Sequence, residues 1–586
     1  MDALLATIRS IIDTHRAANA RRAALGESLR VVCRRLATYR EIPFNTEPQL
    51  PAESVARIEQ QVAELVERNT DWLANPADAL GELYQRLLAD SRASRRSAAC
   101  YYTPLALVEQ LLDASLAPLL AQLADQPDRE AALLRLNVCD PACGNGRFLV
   151  AAARRLAAQL QQWRGTMGDQ TTLDDVLTHC IYGIDRDPLA VELARFALQW
   201  LTPAPLTTHV HVGDSLREFP RSRTRQSSGG CHVEPRPNSG EFGYSEQPAS
   251  TAYDLIIGNP PFVNMIDGGL SNDEKRSLTR GARGLTGTAD LAYHFVARAH
   301  ELTRPDGRIA FILPKSFLNA PSASGLRSTL AVERPPSSIV VPDEERQFRG
   351  ASTYICALVL GGEQPCHSVV GSQSRTFTWP TPLADPQQNW WRIISTTLAQ
   401  PTSRTSSPSA TLGEQFTITA GMTTGEAYQI REHLHDDPAV DTLRLITSRL
   451  IDPDACRWGQ VACRYLGQTY THPTLVAHPS FPHSLQRRLD ASRRPKLLVA
   501  GLANRLEAYV DEMGRDLGAV STWTIFHPHD DLVALRQLCT WLHSSPIHDW
   551  LRAELGAASV GHGYMTITKH ALRRLPLSLS SHGIAA

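Results

Sequence analysis

A rigid polar turn after an apolar strand holds the residues best suited to chemistry. The segment 254–258 reads Asp-Leu-Ile-Ile-Gly and runs into Asn259-Pro260-Pro261-Phe262. Two consecutive prolines fix φ and remove two N–H donors, so the turn is stiff. The side-chain oxygen of Asn259 and the carbonyl of Pro260 can both accept hydrogen bonds from one NH2 group, which frees the nitrogen lone pair for attack. Phe262 offers a ring face for stacking a base. An ordinary turn is the alternative.

A glycine-rich turn upstream has the composition of a ligand-binding loop. Asp140, Ala142, Gly144 and Gly146 belong to the sequence Asp-Pro-Ala-Cys-Gly-Asn-Gly, which lies where a predicted strand meets a predicted helix. Glycines let the backbone turn tightly and approach a ligand, and the start of a helix presents unpaired N–H groups. By itself such a turn fits either a dinucleotide site or a plain turn.

Acidic residues follow the next two predicted strands. Asp185 ends the second strand, Asp187 comes two residues later, and Asp214 follows the third strand at 208–212. A carboxylate at the end of the second strand can accept hydrogen bonds from both ribose hydroxyls of a nucleoside. Asp214 can accept one from an adenine amino group. Together these acids indicate a nucleoside-containing cofactor; helix-capping or turn aspartates are the alternative.

The segment 140–149, Asp-Pro-Ala-Cys-Gly-x-Gly-x-Phe-Leu, resembles the cofactor motif of N6-adenine DNA methyltransferases of the gamma arrangement. In that family the cofactor motif precedes the Asn-Pro-Pro-Phe motif, and a target-recognition domain follows. The resemblance covers 100–360 well and 412–580 less specifically. It implies site-specific transfer of a methyl group from S-adenosylmethionine to the N6 amine of an adenine flipped out of double-stranded DNA. The expected setting is restriction-modification or phage defence.

The resemblance also assigns roles to residues outside the two main motifs. Tyr102-Thr103-Pro104 is similar to the family's preceding motif, which opens a helix over the methionine part of the cofactor. Phe348 is the candidate for a second base-stacking ring, or else a core residue, and Asp290 either lies near the cofactor or caps a helix. The implied catalytic residues are Asn259, Pro260, Pro261 and Phe262. The implied cofactor contacts are Tyr102, Thr103, Pro104, Asp140, Ala142, Gly144, Gly146, Asp185, Asp187, Asp214, Asn259 and Asp290.

Alternating apolar strands and helical segments between about 100 and 360 predict an α/β fold. The expected architecture is a Rossmann-like methyltransferase sheet ending in a β-hairpin, with a helical amino-terminal domain and an α+β target-recognition domain. Strands are predicted at 134–139, 180–184, 208–212, 253–258 and 308–313. The hairpin is predicted from 338–341 and 353–360.

Composition shifts suggest the domain limits. We expect a helical domain at 1–98, a catalytic domain at 99–399 with a disordered insertion at 221–251, a linker at 400–411, and a target-recognition domain at 412–586. In the last domain, Gly421-Met-Thr-Thr-Gly resembles the opening of the family's recognition domains. The basic clusters suit DNA phosphates; they are Arg493, Arg494, Lys496, Lys569, Arg573 and Arg574.

The bulk numbers exclude a histone-like protein but not a DNA-binding one. The 586 residues carry 59 basic and 60 acidic side chains, a net charge of −1, and a basic cleft can sit on a neutral protein. No apolar run approaches the length of a membrane span, so we expect a cytoplasmic chain. We also expect the chain to be a monomer. The cysteine and histidine spacing, including Cys456 and Cys463, fits no paired zinc motif, so no metal is expected.

Other classes of protein remain open. Asn-Pro-Pro-aromatic turns also serve enzymes that methylate ribosomal RNA or a protein glutamine, although those usually lack a long following domain. A modification subunit that needs a separate specificity partner is a further alternative. A fused nuclease is disfavoured, because no lysine precedes Lys275 to complete an acid-x-Lys signature. A separate restriction endonuclease or other defence proteins are the expected partners.

Overall fold

The computed structural model describes most of the chain in two compact units. The described residues are 1–15, 17–42, 44, 49–68, 71–74, 76–88, 103–217, 253–263, 278, 284–286, 289–342, 354–379, 389–398, 410–438, 442–555, 559–560 and 564–577. The first unit comprises 1–314, 321–351 and 355–388, and the second comprises 315–320, 352–354 and 389–586. The predicted insertion at 221–251 lies outside the described residues, and so does the predicted linker except for 410–411.

The first unit begins with helices whose apolar residues recur at helical spacing. Leu4, Leu5 and Ile8 are buried on the first helix, and Ile58 and Val62 on the third. These residues join one core with Leu189, Leu193, Phe196 and Trp200, which follow the second strand of the sheet. The predicted amino-terminal helices are confirmed. They are α1 (Asp2–Asp13), α2 (Ala18–Thr38), α3 (Ala52–Arg68), α4 (Asp71–Ala74) and α5 (Pro76–Leu88).

A nine-stranded mixed sheet forms the centre of the first unit. Its order is β3-β2-β1-β4-β5-β7-β6-β8-β9. The first five strands in that order are mutually parallel, and β7 is antiparallel to both β5 and β6. The strands are β1 (Val138–Asp140), β2 (Ile181–Asp185), β3 (His209–Val212), β4 (Tyr253–Gly258), β5 (Thr303–Pro314), β6 (Pro336–Val341), β7 (Ile355–Leu360), β8 (Cys366–Val370) and β9 (Gln373–Phe377).

The mostly parallel α/β sheet is therefore as predicted, with two corrections. The strand predicted at 134–139 begins only at Val138, because Leu134 ends a short helix whose Leu133 is buried. The β6-β7 hairpin exists but is not terminal, since β8 pairs with β6 and β9 extends the sheet further. Strand β9 has the sequence Gln-Ser-Arg-Thr-Phe, which lacks the apolar alternation that would predict a strand.

Helices cover both faces of this sheet. They are α6 (Leu105–Ala124), α7 (Arg129–Leu134), α8 (Arg147–Arg164), α9 (Gln170–His179), α10 (Pro188–Gln199), α11 (Leu291–Leu302) and α12 (Ser324–Glu333). Contrary to the sequence expectation, one helix among the described residues, α6, is long and apolar enough to cross a membrane, with a mean hydropathy of 1.2. Its Val108, Leu111, Leu112 and Leu116 belong to the core that the strands share, so α6 packs as a core helix.

The second unit combines small antiparallel sheets with short helices. Its four-stranded sheets have the orders β11-β23-β19-β21 and β12-β18-β13-β22, and a third sheet has the order β20-β25-β24. The helices are α13 (Trp390–Leu398), α14 (Leu412–Gln415), α15 (Thr424–Gln429), α16 (His483–Ala491), α17 (Leu532–Leu542), α18 (Ser545–Leu555) and α19 (Lys569–Arg574). The strands are β10 (Ala410–Thr411), β11 (Thr417–Ala420), β12 (Leu434–Asp436), β13 (Leu443–Ile446), β14 (Ile451–Asp452), β15 (Ala455–Cys456), β16 (Cys463–Tyr465), β17 (Gln468–Tyr470), β18 (Pro473–Leu475), β19 (Lys496–Ala500), β20 (Leu502–Ala503), β21 (Ala508–Asp511), β22 (Asp516–Gly518), β23 (Thr522–Phe526), β24 (Ser559–Val560), β25 (Tyr564–Thr566) and β26 (Pro576–Leu577).

A buried ion pair joins β19 to β21 in the second unit. The Lys496 ammonium lies 2.5 Å from the Asp511 carboxylate, and the two side chains are 0% and 3% exposed. Lys496 also donates to the carbonyl of Ser492 at 2.5 Å. The prediction that Lys496 contacts DNA phosphates is therefore wrong, because its charge is already neutralised inside the unit.

Replacing Lys496 by methionine should destabilise this sheet. Asp511 would stay buried without its countercharge, at a cost of about 3–5 kcal/mol. Hydrogen exchange at the amides of β19 and β21 measures the loss. Arg493→Met is the matched control, because Arg493 is exposed and its replacement should cost less than about 0.5 kcal/mol. Equal effects of the two substitutions would contradict the structural role of Lys496.

Candidate active site

Parallel pairing brings the predicted catalytic turn, residues 259–262, beside the glycine-rich turn at 140–146. In the register, Val138 pairs with both Ile181 and Leu255, so β1, β2 and β4 end at the same edge of the sheet. A Cβ atom placed on Gly258 would lie 2.5 Å from Oδ1 of Asp140. Only a glycine fits between the Asp140 carboxyl and Asn259. The two predicted motifs therefore form one site.

The glycine-rich turn adopts a backbone that only glycine adopts readily. Gly144 and Gly146 have φ values of 53° and 84°, in the left-handed region. The Gly144 N–H donates to Asp185 Oδ2 at 2.8 Å, and the other oxygen of Asp185 accepts from the Asp187 N–H at 2.8 Å. Asp185 thus holds the turn in place. A Cβ on Gly144 would meet no atom within 4 Å, so open space lies over the turn.

The two acids nearest the turn are deeply buried. Burial raises the pKa of Asp140 from 3.8 to about 8; a hydrogen bond from the Ala142 N–H opposes this rise and the charge of Asp185 adds to it. Burial also raises the pKa of Asp185, against hydrogen bonds from Asp187 and Gly144. The low dielectric next to the turn therefore disfavours the charged form of both acids, and Asp140 is neutral below about pH 8.

The side chain of Asn259 is oriented by the start of helix α6. Its Nδ2 donates to Oγ1 of Thr103 at 3.0 Å, which fixes the opposite end of the amide as the hydrogen-bond acceptor. Thr103 itself is only 7% exposed, and Pro104 is the N-cap of α6. The structure therefore brings Thr103 into contact with Asn259, and the roles of Thr103 and Pro104 in cofactor binding stay predictions.

The chain after Phe262 is anchored by Asp290. Its carboxylate accepts hydrogen bonds from the N–H of Val263 at 3.2 Å and from the N–H of Ala292 at 2.9 Å. Burial raises the pKa of Asp290, and these hydrogen bonds oppose the rise. Asp290 thus caps α11 and also fixes the exit of the catalytic turn. Phe262 is half-buried and packs on the core of the first unit.

Two of the predicted acids have other partners. Asp187 caps α10 at the N–H of Leu189, forms an ion pair with Arg22 at 2.5 Å and accepts from the Tyr84 hydroxyl. Burial alone would raise the pKa of Asp187, but the hydrogen bonds from Arg22 and Tyr84 hold it below its usual value. Asp214 accepts from the N–H of Leu216 at 3.1 Å. Asp187 therefore serves the amino-terminal helices.

Some predicted residues cannot be placed, and others were missed. Tyr102 and Phe348 lie outside the described residues. Asn145, inside the glycine-rich turn, was not singled out from the sequence although helix α5 packs against it. Arg147, which follows Gly146, was also missed. An arginine directly after a glycine-rich turn, at the start of a helix with many apolar residues, is the sequence signal that could have found it.

Two of the basic residues of the second unit are already paired with acidic side chains of the same unit. Arg494 pairs with Asp530 at 2.6 Å, and Arg574 pairs with Glu554 at 2.8 Å. Arg493, Lys569 and Arg573 are exposed. The phosphate prediction thus narrows to these last three side chains. Gly421, at the predicted recognition-domain opening, precedes the capping box of Thr423 and Glu426 that starts α15.

Potential metal ligands come together at one place among the described residues. The ligand atoms of Asp454, Cys539 and His543 all lie within 4.8 Å of one another. The Cys539 thiol donates to Asp454 at 3.2 Å and to the Ala508 carbonyl at 3.5 Å. Cys456 and Cys463 occupy different hairpins. The absence of a resident metal stays a prediction.

The order of the sheet, the left-handed glycine turn and the acids at the strand ends define an S-adenosylmethionine-dependent methyltransferase fold. Solved structures share it. The restriction-modification enzyme MmeI, solved in complex with DNA, aligns with a TM-score of 0.59 at 14% identity, over 99% of this chain and 87% of that one. A nuclease-deletion mutant of LlaGI, solved with a DNA substrate mimic, aligns with a TM-score of 0.53 at 12% identity, over 98% of this chain and 54% of that one.

Residues 179–348 match the family described as Eco57I restriction-modification methylase. The enzyme RM.Eco57I of Escherichia coli is 24% identical over 251 residues, 39% of this chain and 25% of that protein. The adenine-specific methyltransferase PglX of Streptomyces coelicolor is 28% identical over 269 residues, 41% of this chain and 21% of that protein. The matches thus span a quarter or less of those relatives. They confirm the resemblance to N6-adenine DNA methyltransferases that the sequence motifs indicated.

The residues present fit the cofactor that this fold implies. The open space over Gly144 can take a ligand that approaches the backbone, which a side chain at that position would block. The surrounding acids, Asp140 and Asp185, offer carboxyl oxygens that can take part in hydrogen bonds with polar groups of the cofactor. Carboxylates at strand ends also match ribose hydroxyls.

Asp140→Asn should change how stability depends on pH. The folded chain keeps a proton on Asp140 up to about pH 8, whereas the unfolded chain loses it near 3.8. The wild type therefore loses stability from this group as the pH rises between these values, and the neutral variant does not. We expect the melting temperature of the variant, relative to wild type, to rise from about pH 5 to pH 8, by roughly 2–4 °C per kcal/mol recovered. A pH-independent difference would contradict the buried acid.

Proposed function

We propose that this chain is a site-specific DNA methyltransferase that modifies the N6 amine of adenine with S-adenosylmethionine as methyl donor. The observation that carries the proposal is the fixed amide of Asn259, whose Nδ2 donates to Thr103 at 3.0 Å next to the buried acid at the glycine-rich turn. The family match over 179–348 supports the same reading.

The catalytic turn binds the amino group of the target adenine. Asn259 Oδ1 and the Pro260 carbonyl accept the two N–H hydrogens, which draws the adenine nitrogen towards a tetrahedral shape and restores its lone pair. The amine needs no strong base, because nitrogen becomes acidic once it is alkylated and its proton then passes to solvent. The proline pair keeps the two oxygens in place without reorganisation, which is the condition for electrostatic catalysis.

When bound, S-adenosylmethionine supplies a methyl group on a positively charged sulfur. Gly144 and Gly146 allow its approach to the backbone, Asp185 binds the ribose, and Asp214 binds the adenine amino group. Asp140 would contribute a hydrogen-bonding carboxyl group to the cofactor site, with Ala142 beside it, and Thr103 and Pro104 would belong to the same site. Asp187 and Asp290 act on the cofactor site indirectly. Asp187 caps α10, and Asp290 fixes the catalytic turn.

The target adenine must leave the helix before it reaches Asn259, since its amine is enclosed in the base stack. Phe262 receives the flipped base on its ring, and Phe348 is the proposed second ring. The second unit is proposed to read the target sequence, with Arg493, Lys569 and Arg573 contacting phosphates. A cytoplasmic enzyme acting as a monomer, beside a separate restriction or defence partner, completes the proposal.

Transfer of a radiolabelled methyl group tests the function directly. The whole chain is incubated with labelled S-adenosylmethionine and duplex DNA, ribosomal RNA or a mixed protein substrate in parallel. We expect label only in DNA, as N6-methyladenine, at a defined sequence found by long-read sequencing. Label in RNA or protein alone would favour the alternative amine methyltransferases. Label in DNA only after a specificity subunit is added would favour the modification-subunit alternative.

Asn259→Ala should abolish methyl transfer and leave the fold intact. Losing one preorganised hydrogen-bonding group costs about 10²–10³ in kcat. Single-turnover methylation measures the effect, and circular dichroism confirms folding. Asn19→Ala is the matched control, because Asn19 is exposed on α2. Substantial activity in the Asn259 variant would contradict the mechanism.

Thr103→Val should lower kcat without changing the shape of the site. Valine keeps the volume but cannot accept the hydrogen bond from Asn259, and such a bond is worth about 0.5–1.5 kcal/mol, roughly 2–12-fold in rate. Thr103→Ser retains the hydroxyl and should stay close to wild type. If serine and valine have the same effect, Thr103 does not orient Asn259.

A further inference from the structure

Helix α5 of the amino-terminal segment packs directly on the glycine-rich turn. A Cβ added to Gly81 would overlap Nδ2 of Asn145 and lie 3.0 Å from its Cγ. The Asn145 amide therefore rests against the bare backbone of α5. Any larger residue at 81 must displace the Asn145 side chain, whose backbone belongs to the turn between Gly144 and Gly146.

The same helix holds the residue that follows the turn. Asp78 of α5 forms an ion pair with Nε of Arg147 at 2.8 Å, and the Arg147 side chain is only 8% exposed. Arg147 also donates to the backbone carbonyl of Thr103, and Thr103 accepts from Asn259. A continuous series of polar contacts thus leads from α5, through the residue that follows the glycine-rich turn, to the amide of Asn259.

A second contact fixes α5 to the sheet beyond Asp185. The Tyr84 hydroxyl donates to Asp187 Oδ2, and Arg22 of helix α2 pairs with the other oxygen at 2.5 Å. Asp187 donates its own N–H to Asp185 at 2.8 Å. The acid that holds Gly144 is therefore itself fixed by the amino-terminal helices.

We propose that α5 is a part of the cofactor site, with Gly81 and Asp78 as positioning residues that set the shape of the glycine-rich turn through Asn145 and Arg147. The inference rests on the proposed function and adds a role for the amino-terminal helices. Its consequence is that cofactor affinity depends on a helix whose residues do not belong to any cofactor motif.

Gly81→Ala tests the proposal with one methyl group. Alanine favours a helix more than glycine does, so propensity predicts a more stable α5, whereas the contact with Asn145 predicts a displaced Asn145 side chain and weaker cofactor binding. We expect the Kd for S-adenosylmethionine, measured by calorimetry without DNA, to rise roughly tenfold, the factor typical of coupled neighbours. Gly26→Ala is the matched control on helix α2, because its Cβ would lie 3.9 Å from Leu189, an ordinary contact.

A double variant separates positioning from general packing. In an Asn145→Ala background the amide that the Gly81 methyl displaces is gone, so Gly81→Ala should change the Kd further by less than about twofold. In turnover, Gly81→Ala should raise KM for S-adenosylmethionine while kcat at saturation and KM for DNA stay near wild type. Asp78→Asn removes the charge opposite Arg147 and should shift KM in the same direction.

The outcomes are distinct. Unchanged cofactor affinity in Gly81→Ala, or equal weakening in both backgrounds, overturns the positioning role and leaves the proposed function standing. A loss of affinity equal to that of Gly26→Ala overturns it too. Failure of the unaltered chain to bind S-adenosylmethionine removes the proposed function, and the inference falls with it.

Discussion

The parallel pairing of β1 with β2 and β4 is the constraint on which the rest of the site depends. It ends three strands at one edge of the sheet, so that Asp140, Asp185 and Asn259 meet although long stretches of chain separate them. Gly258 is the point of closest approach, since its missing side chain leaves room for the Asp140 carboxyl. A sheet paired differently would hold the same motifs without forming a site.

Burial then gives these groups their electrostatic character. Asp140 lies in surroundings that raise its pKa to about 8, and the backbone N–H groups of the turn partly compensate Asp185. Burial thus favours the neutral form of the enclosed acid, which can donate a hydrogen bond as well as accept one. The catalytic turn adds no charge of its own. Its polar groups are held by Thr103 on one side and by Asp290 on the other.

The amino-terminal helices contact the edge of the sheet at which β1, β2 and β4 end. Asp187 shows the link, since one carboxylate caps α10 and binds both Arg22 and Tyr84. Arg147 shows it again between Asp78 and Thr103. The second unit uses charge differently: Lys496 and Asp511 neutralise each other inside a sheet. A cluster of basic residues in a sequence therefore does not always lie on the surface of the protein.

The sequence by itself determined the local chemistry: the glycine turn, the acids after β2 and β3, the proline-stiffened Asn259, and strand β4 with its observed bounds. These are short-range patterns of residue type and period, and the structure keeps them. Tertiary structure alone decided which acids face the site, that Lys496 is buried, that β8 and β9 extend the sheet, and that Gly81 supports Asn145. Each of those facts depends on which segments, far apart in the chain, pack together, and a side chain carries no local mark of the partner that folding will bring to it.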